Sequence, residues 1–435
     1  MTREHTTHDA DAQTERDSTD RAADSTDRAA DPTGHSAGMP GDPTRPLDGV
    51  TVVELGHIAA GPFCSLLLAE LGAEVVKVEH RASGGDSVRD STPVGNGLFN
   101  AVNRNKLGIT LDLKTDDGIE AFLDLIAEAD VFVENLRPGA PDRLGIGYDD
   151  LRTLNEGLIY CSVKGFNDGP YQDYPALDPV AEALSGLMSV TGHPGNPPAR
   201  AGTSVADMTA ALFGALGVTA ALRQRERTGV GQHVTAPLFE STVSLMSYWL
   251  VYAQTTEEIP DPIGAGHDNW APYDVYLAAD DRWVFVGPSS QAGWERLCEA
   301  LDVRLDEEDR FETVSDRRRN EEALDAELRA VIERIGSEEL VARLREAGVP
   351  VAPVQNVREV CSDDHLIATD ALGEITTATG DGEAVRVPKI PIRSSAFECP
   401  DPSDPPGLGE DTEDVLERLG YDEERIGRLR ENGVI

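Results

Sequence analysis

From residue 46 onward, short β-rich runs of hydrophobic residues alternate with longer helical stretches. Val50–Leu55 is a β-branched run that predicts a strand, a helix opens at Pro62 and reaches Leu71, and Glu74–Val78 predicts a second strand. A strand, a helix and a second strand in this order are typical of a parallel sheet. The start of the pattern therefore predicts an α/β fold.

The same rhythm continues downstream. Ile109–Leu113 alternates as a strand, Asp116–Glu128 has the period of an amphipathic helix, and Val131–Glu134 and Leu158–Val163 are further short strands. An alanine-rich stretch before the turn "RTGVGQ" predicts a long helix with one face of small residues, which packs closely against another element. These elements favour a large α/β domain.

The second half of the chain has a different pattern. Two alternating strands, Tyr273–Ala278 and Trp283–Val286, precede charged helices between Gly293 and Gly348. Strands followed by a run of helices are typical of an α+β domain. This part therefore predicts a second, smaller domain.

These patterns divide the chain into four segments. Residues 1–44 carry the repeat "DSTDRAA" at 17–23 and 24–30 and no apolar period, so they predict a disordered acidic extension. Residues 45–225 predict the first part of the large domain, and residues 226–354 the smaller domain with its linkers. Residues 355–435 are too short to fold alone, and we expect them to return to the large domain.

The net charge of the chain indicates which molecules it can bind and in which environment it works. Asp and Glu number 79 against 38 Lys and Arg, which gives a formal net charge of −41. So acidic a surface repels nucleic acid and anionic lipid, and we expect neither as a partner. An excess this even, with only five lysines, suits a protein kept soluble in strong salt. We therefore expect a cytoplasmic protein of a salt-loving microbe.

Cysteine and histidine usage predicts neither disulfides nor a metal. The five cysteines are far apart and include no CxxC pair, which favours a reducing compartment. The nine histidines show no HExxH or similar spacing, so we expect no metal site. We also find no apolar run of membrane-spanning length and no signal peptide.

The most informative stretch is "KGFNDGPYQDYPALDPVAEALSGLMSVTG", residues 164–192. Turn-forming residues precede a helix that we expect to be capped by Asp178, with Pro179 at its first position and Val180 and Leu184 on its apolar face. The carboxylate of Asp178 is then held at the mouth of a helix beneath a glycine-rich loop. Taken alone, the segment favours the simple interpretation, in which Asp178 only caps its helix.

Basic residues stand out because the chain is so acidic. Arg104, Lys106, Arg137 and Lys164 follow or flank predicted strands, where they suit an anionic ligand such as a nucleotide phosphate. The alternative is that each pairs with a carboxylate. The first strand–helix turn reads "GHIAAGP" rather than GxGxxG, which argues against a nicotinamide enzyme. Its free amides suit a phosphate or a flat ring.

Eleven segments in order, spanning about residues 46–435, resemble the class III coenzyme A transferases, the formyl-CoA and carnitine-CoA transferase family. They are "LDGVTVVELGHIAAGPFC", "LGAEVVKVE", "NRNK", "LDLK", "ENLRPG", "GFNDGPY", "LDPVAEALSG", "TGVGQHV", "GVPVAPV", "LGEDTEDVLERLGY" and the terminal "GVI". The resemblance implies a Rossmann-like large domain built from both chain ends, a smaller inserted domain, and an interlocked homodimer.

The resemblance also implies a set of site residues. The family nucleophile falls on Asp178, and a glycine-rich gate over the active site corresponds to Gly264–Gly266. The usual "HP" after this gate is "HD" here, at His267 and Asp268, so contacts of this loop are expected to differ. Coenzyme A contacts are carried over to the first strand–helix turn and to three basic residues, namely His57, Ile58, Ala59, Ala60, Arg104, Lys106 and Arg137.

The implied reaction moves coenzyme A from an acyl-CoA to a free carboxylic acid through an aspartyl anhydride and an aspartyl-CoA thioester. No cofactor is bound permanently, because coenzyme A is part of the substrate. One alternative is an acyl-CoA racemase or epimerase of the same superfamily, whose acid–base histidine is replaced here by Leu177. A second alternative is a catalytically inactive protein that binds acyl-CoA.

The substrate is a separate hypothesis. We expect succinyl-CoA as donor and a four- or five-carbon dicarboxylate such as mesaconate as acceptor. Arg200, Arg104 or His267 would bind the distal carboxylate, beside Gly264 and Gly266 of the loop. The alternative is that the arginines form ion pairs with neighbouring Asp or Glu, and formate–oxalate or carnitine exchange stays open.

Overall fold

Six strands form a parallel sheet in the computed structural model, which describes residues 45–379 and 382–435. Their order across the sheet is β3, β2, β1, β4, β5 and β6. The strands are β1 (Thr51–Leu55), β2 (Glu74–Glu79), β3 (Leu107–Thr110), β4 (Val131–Glu134), β5 (Ile159–Lys164) and β6 (Gln232–Pro237). The extension predicted over residues 1–44 lies outside the described residues.

The order of the sheet reverses beside β1. This strand pairs with β2, where Val53 lies opposite Val76, and with β4, where Val53 lies opposite Phe132. The helices that follow β1 and β4 lie on opposite faces of the sheet. A crevice therefore forms outside the carboxyl ends of these two strands. Open α/β sheets bind their ligands at such a point, and the turn that follows β1 lies there.

Helices cover both faces of the sheet. One face packs on the first and eighth helices and the other on the third, the fifth and two helices from the end of the chain. Both sides of each central strand are therefore buried. The helices of this part are α1 (Ala60–Ala69), α2 (Pro93–Asn103), α3 (Asp116–Glu128), α4 (Ala140–Leu144), α5 (Tyr148–Leu154), α6 (Asp178–Leu184), α7 (Leu187–Val190), α8 (Val205–Thr228), α9 (Leu238–Leu245) and α10 (Ser247–Thr256).

Helix α8 packs on α1 and on the sheet through small residues, as the alanine-rich pattern predicts. Ala206, Ala210, Gly214 and Val218 recur every four residues along its buried face.

The mean hydropathy of the most apolar window of α8 is 1.6, with 44% of that window buried, so by length and composition α8 could span a membrane. The expectation that no apolar run reaches that length is wrong. One such helix is weak evidence for a membrane, because core helices have the same composition.

A second core lies in the segment after α10. Strands β7, β8 and β9 form an antiparallel sheet whose apolar residues pack with three helices around the buried Trp294. Sheet and helices are segregated here, which is an α+β arrangement. The elements are β7 (Asp274–Leu277), β8 (Trp283–Val286), α11 (Gln291–Leu301), α12 (Val314–Arg319), α13 (Glu321–Ile332), α14 (Ser337–Glu346) and β9 (Val351–Pro353).

The end of the chain packs against the large sheet. Val415 and Ile426 lie in the same core as Val76, and the backbone N–H of Asp112 donates to the carbonyl of Val434 at 2.8 Å. Both termini of the described chain therefore contribute to one α/β body. The elements are α15 (Val357–Val360), α16 (Asp364–Ala368), the hairpin β10 (Leu372–Thr376) and β11 (Ala384–Pro388), α17 (Thr412–Arg418) and α18 (Glu423–Glu431).

Replacing Gly214 by leucine should destabilise the protein by about 1–3 kcal/mol, because a side chain there has no room. A Cβ at this position would lie 3.0 Å from the Cys64 sulfur and 3.4 Å from the Ala236 Cβ. Chemical unfolding would measure the loss. The control is Gly427→Leu in α18, where no atom of the described residues lies within 4 Å of the added Cβ, so a gain of about 0.5–1 kcal/mol from helix propensity is expected. Equal effects at both positions would contradict the close packing of α8.

Candidate active site

Asp178 does not cap its own helix. Leu177 is the N-cap residue of α6 and Asp178 is the first helical residue, so the prediction that Asp178 caps this helix is wrong. Its Oδ1 atom instead accepts the backbone N–H groups of Ala206, at 2.8 Å, and Asp207, at 3.3 Å. These amides belong to the first turn of α8, whose N–H groups have no partner within the helix. Asp178 thus caps a helix that begins 27 residues further along the chain.

Arg200 lies beside this carboxylate. Its Nη2 atom is 3.0 Å from Asp178 Oδ2, and its Nε atom is 3.8 Å from Oε1 of Glu182. The Arg200 side chain is 50% exposed, whereas both acidic side chains are buried. The structure therefore brings together two of the predicted site residues, Asp178 and Arg200, in the ion pair that was the alternative interpretation for Arg200.

Glu182 adds a second buried carboxylate to this group. Its Oε2 atom accepts the backbone N–H of Ala201 at 2.8 Å, while its Oε1 atom has no hydrogen-bond partner among the described residues. Burial raises the pKa of Glu182, and the neighbouring Asp178 acts in the same direction. Glu182 fixes the start of the segment that connects Arg200 to α8.

Asp207 is the acidic residue that sequence reasoning missed. It is the third residue of α8, and burial, followed by the negative charge of Asp178, raises the pKa of its carboxyl to about 7. No hydrogen bond to its side chain is present in the described part of the chain. The sequence signal was an acidic residue in the first turn of an apolar helix, three positions after Ser204, a pattern typical of helix starts.

The two aspartates differ in what their oxygens can do. Both oxygens of Asp178 already accept hydrogen bonds from Arg200 and from helix amides. Asp207 has unoccupied oxygens and a raised pKa, so it takes up a proton near neutral pH and is a stronger base once ionised. This arrangement provides one positioned anion and one carboxylate available for acid–base or covalent chemistry.

The predicted glycine loop docks beside the segment that precedes Arg200. The backbone N–H of Gly264 donates to the carbonyl of Gly192 at 2.8 Å, and any Cβ at position 264 would lie 2.7 Å from Nδ1 of His193. The ring of His267 packs on Trp270, with ring centroids 4.1 Å apart, and Gly266 donates within the loop. Gly264 therefore contacts Gly192 and His193, while His267 and Gly266 belong to a separate aromatic turn.

The first strand–helix turn has fewer free amides than expected. The N–H of His57 donates to Asn135 Oδ1 at 2.8 Å, and the N–H of Ile58 donates to both carboxylate oxygens of Asp86 at 3.1 Å. Ala59 and Ala60 are buried, whereas Ile58 is 41% exposed. The expectation that these amides are free for a phosphate is wrong for His57 and Ile58, because side chains of the protein already occupy them.

Two of the three predicted basic contacts are buried ion pairs. The Arg104 guanidinium binds Glu70 and the carbonyl of Pro388, and the Lys106 ammonium lies 2.7 Å from Glu54 Oε2. Burial lowers the pKa of Lys106 to about 8, against the attraction of Glu54. We correct the prediction of direct phosphate contact for Arg104 and Lys106, since their charges are already neutralised and hidden from solvent.

Arg137 and Lys164 remain near solvent at the strand ends. Arg137 is exposed after β4 and forms no ion pair with any described residue. Lys164 lies 2.6 Å from Glu134 Oε2 in the wall of a cavity of about 430 Å³, which opens at the carboxyl ends of β4, β5 and β6. Aromatic Tyr148 and Tyr160 also line this cavity. Of the three predicted basic contacts, only Arg137 has the exposed position that a phosphate contact requires.

Comparison with known proteins agrees with this architecture. The family model described as CoA-transferase family III matches residues 47–412. A succinyl-CoA:mesaconate CoA-transferase of Haloarcula marismortui is 36% identical over 86% of this chain and 97% of its own length. A succinyl-CoA–D-citramalate CoA-transferase of Chloroflexus aurantiacus is 35% identical, over 90% of this chain and 99% of its own. The crystal structure of a CAIB/BAIF family protein from Brucella suis has a TM-score of 0.79 at 32% identity, over 86% of this chain and all of its own.

Replacing Asp207 by asparagine should stabilise the protein above about pH 7. The folded chain holds a proton on this carboxyl up to a pKa of about 7, against an ordinary value of 3.8. The native protein therefore loses stability as the pH rises through this window, and an uncharged asparagine does not. When Tm is measured from about pH 4 to 8, the Tm of Asp207→Asn minus that of the native protein should increase with pH.

The matched control is Asp178→Asn. This variant should lower Tm, because Arg200 and the amides of α8 lose the negative charge of their acceptor. It should also move the pH window of Asp207 downward, since the like charge beside Asp207 is gone. A gap between Asp207→Asn and the native protein that is the same at every pH would contradict the raised pKa.

Proposed function

The chain belongs to CoA-transferase family III and is a CoA-transferase, and we propose that it uses succinyl-CoA as donor and a four- or five-carbon dicarboxylic acid, such as mesaconate, as acceptor. Two similar proteins are named as transferases that pair succinyl-CoA with such an acid. The observation that carries the proposal is the half-exposed Arg200 at the aspartate site, because the exposed part of its guanidinium can pair with the carboxylate of a second acid.

The proposed mechanism is covalent catalysis by an aspartate. The carboxylate attacks the thioester carbonyl of the donor, and the coenzyme A thiolate leaves to give a mixed anhydride. The thiolate then attacks the aspartyl carbonyl, which releases the donor acid and forms an aspartyl-CoA thioester. The acceptor carboxylate attacks this thioester, and the same two steps run in reverse to give the new acyl-CoA and the free aspartate.

We assign the nucleophile to Asp207 rather than to Asp178, the residue that the motif comparison suggested. Hydrogen bonds from Arg200 and from the amides of α8 stabilise the negative charge on both Asp178 oxygens, which lowers the nucleophilicity of this carboxylate. Asp207 has free oxygens, and the basicity indicated by its pKa of about 7 increases its nucleophilicity once ionised. Asp178 then acts as a positioning residue that holds the start of α8.

The surroundings of Asp207 contain groups that can stabilise an oxyanion. Each tetrahedral intermediate carries negative charge, which needs donors already in place. The guanidinium of Arg200 and the first turn of α8 provide positive potential at this point. The loop at Gly264, whose backbone N–H donates to the Gly192 carbonyl, lies beside the segment that precedes Arg200. Exclusion of water, which an anhydride requires, is assigned to this loop.

The racemase alternative is less well supported. Its chemistry needs an acid–base pair within hydrogen-bond reach of the α-carbon proton. Leu177 occupies the position before Asp178 where a histidine would lie, and its side chain is exposed. A protein that only binds acyl-CoA would not require Asp207 to be a free carboxylate with a raised pKa. Both alternatives are tested by the trapping experiment below.

An interlocked homodimer is part of the proposal. Helix α8 leaves Leu212, Phe213 and Leu216 exposed, and α10 leaves Tyr248 and Val251 exposed. Leu212 and Leu216 are neighbours on the surface of α8 by their spacing, and exposed apolar side chains of this kind are typical of a protein–protein interface. A second copy of the chain is the occupant that family membership favours. We further propose a cytoplasmic location, a salt-rich environment and no permanent cofactor, on the acidic composition and the reaction type.

Covalent trapping should identify the nucleophile by peptide. Trypsin cuts after Lys164, Arg200 and Arg223, so Asp178 and Asp207 fall in different peptides, and Asp207 is the only acidic residue of peptide 201–223. Protein mixed with succinyl-CoA in strong salt and quenched with hydroxylamine should carry the adduct on peptide 201–223. Asp207→Asn should lose transfer at least about a thousandfold, because the covalent step is removed.

The remaining outcomes separate the alternatives. An adduct on peptide 165–200 would return the nucleophile to Asp178. No adduct, together with deuterium uptake at the α-carbon of the acyl group, would favour the racemase. Full activity of Asp207→Asn without an adduct would refute aspartate catalysis at this position, and binding without any turnover would favour the non-catalytic protein.

Leu216→Glu should convert a dimer into a monomer, because a charge placed in a buried apolar interface is left without a partner. Leu216 is 64% exposed in the single chain, so the substitution leaves the fold of one copy intact. Size-exclusion chromatography with light scattering in strong salt measures the mass. The control is Val357→Glu in α15, also exposed and away from α8. A monomeric native protein would overturn the proposal.

A further inference from the structure

A buried network of four charged side chains lies beneath the turn from β1 to α1. Glu54 on β1 pairs in register with Lys77 on β2, and their side chains are 2.9 Å apart. The second Glu54 oxygen lies 2.7 Å from Lys106, and Asp86 lies 3.3 Å from Lys77. Two positive and two negative groups are thus neutralised in a place without solvent, since the side chains of these pairs have zero exposure.

The network forms hydrogen bonds with the backbone of the turn at three points. Lys77 donates to the carbonyl of Gly56 at 2.9 Å, and Lys106 donates to the carbonyl of Pro62 at 2.8 Å. Asp86 accepts the N–H of Ile58 on both of its oxygens. The turn is therefore bound at its beginning, middle and end by side chains from β2, from the segment after β2 and from the residue that precedes β3.

The turn itself is strained. Ile58 has a φ of +68°, in the left-handed region that a β-branched residue rarely adopts. The same turn carries glycines at positions 56 and 61, so the chain places an isoleucine, rather than a glycine, where glycine would be relaxed. A strained residue persists only where its surroundings determine its conformation, and such residues cluster at functional sites.

Stability alone does not account for this arrangement. Buried ion pairs contribute little net stability, because removing the charges from water offsets their attraction. The strained isoleucine lowers stability further, yet its side chain is 41% exposed at the crevice outside β1. An apolar side chain held in a strained conformation at this point is positioned to contact a ligand that binds in the crevice.

We propose that Glu54, Lys77, Lys106 and Asp86 are positioning residues that clamp the β1–α1 turn, so that Ile58 presents its side chain to the acyl-CoA in the crevice. Lys106 thereby acts through the turn and not as a phosphate ligand. The inference rests on the proposed function in that acyl-CoA is the ligand, while the clamp itself is a property of the resting protein. The link that acts on Ile58 directly is Asp86, whose two carboxylate oxygens accept the Ile58 N–H.

The test combines Asp86→Asn with Ile58→Gly. Asp86→Asn should raise KM for succinyl-CoA about tenfold with kcat nearly unchanged, because the turn is no longer held while the aspartate site is intact. In the Ile58→Gly background the same substitution should have less than about a third of that effect, since glycine adopts the positive φ unaided. The matched control is Asp90→Asn, an exposed carboxylate four residues further along.

Additive effects of Asp86→Asn and Ile58→Gly on KM would overturn the proposal, since a purely structural role predicts no coupling. Hydrogen exchange of residues 56–61 in the resting protein gives an independent measurement. Exchange should be faster in Asp86→Asn than in the native protein, and unchanged exchange would also overturn the clamp. A native protein that transfers no coenzyme A would refute the proposed function but leave this exchange test valid.

A second comparison covers the case in which Asp86→Asn does not fold. Ile58→Gly and Ile58→Ala both remove the exposed side chain, and only alanine is strained at this φ. Ile58→Gly should therefore have the higher Tm. Equal Tm values would show that the turn relaxes freely, and the clamp would be refuted.

Discussion

The carboxylate of Asp178, bonded to the first turn of α8, is the interaction on which the rest of the site depends. A helix of 24 residues begins there with N–H groups that need acceptors, and Ser204 does not supply one from its side chain. Asp178 supplies it from another helix, and its second oxygen holds Arg200. Burial raises the pKa of Asp207, the third residue of α8, and the negative charge of Asp178 raises it further. One carboxylate therefore fixes a helix, orients an arginine and adds to the effect of burial on a neighbouring acid.

The elements of the sheet could be predicted from the sequence because their signals are local. Asp116–Glu128 and Val131–Glu134 have the bounds that the hydrophobic pattern indicates, and the remaining strands of the sheet differ by a few residues at their ends. Strand β3 starts earlier than predicted, at Leu107, because its pairing with Val76 of β2 extends it. Periodicity reports which residues face a core, whereas the end of a strand is decided by its neighbour in the sheet.

The site was less predictable because its contacts are not local. The rule for helix caps assigns Asp178 to the nearest helix, and nothing in the sequence indicates that it caps α8 instead. Arg104 and Lys106 look like ligands of an anion until their buried partners, Glu70 and Glu54, are placed beside them by the fold. Asp207 was overlooked for the same reason, since its raised pKa comes from tertiary burial.

The few lysines of this acidic protein show how the fold uses a compact positive charge. Lys77 donates to Glu54, Asp86 and the carbonyl of Gly56, and Lys106 likewise donates to three acceptors in different directions. An ammonium group has three donors around a point, which suits such a site better than the planar fork of arginine. Arg104 is buried as well, but Lys77 and Lys106 are the cations that bind the backbone of the β1–α1 turn.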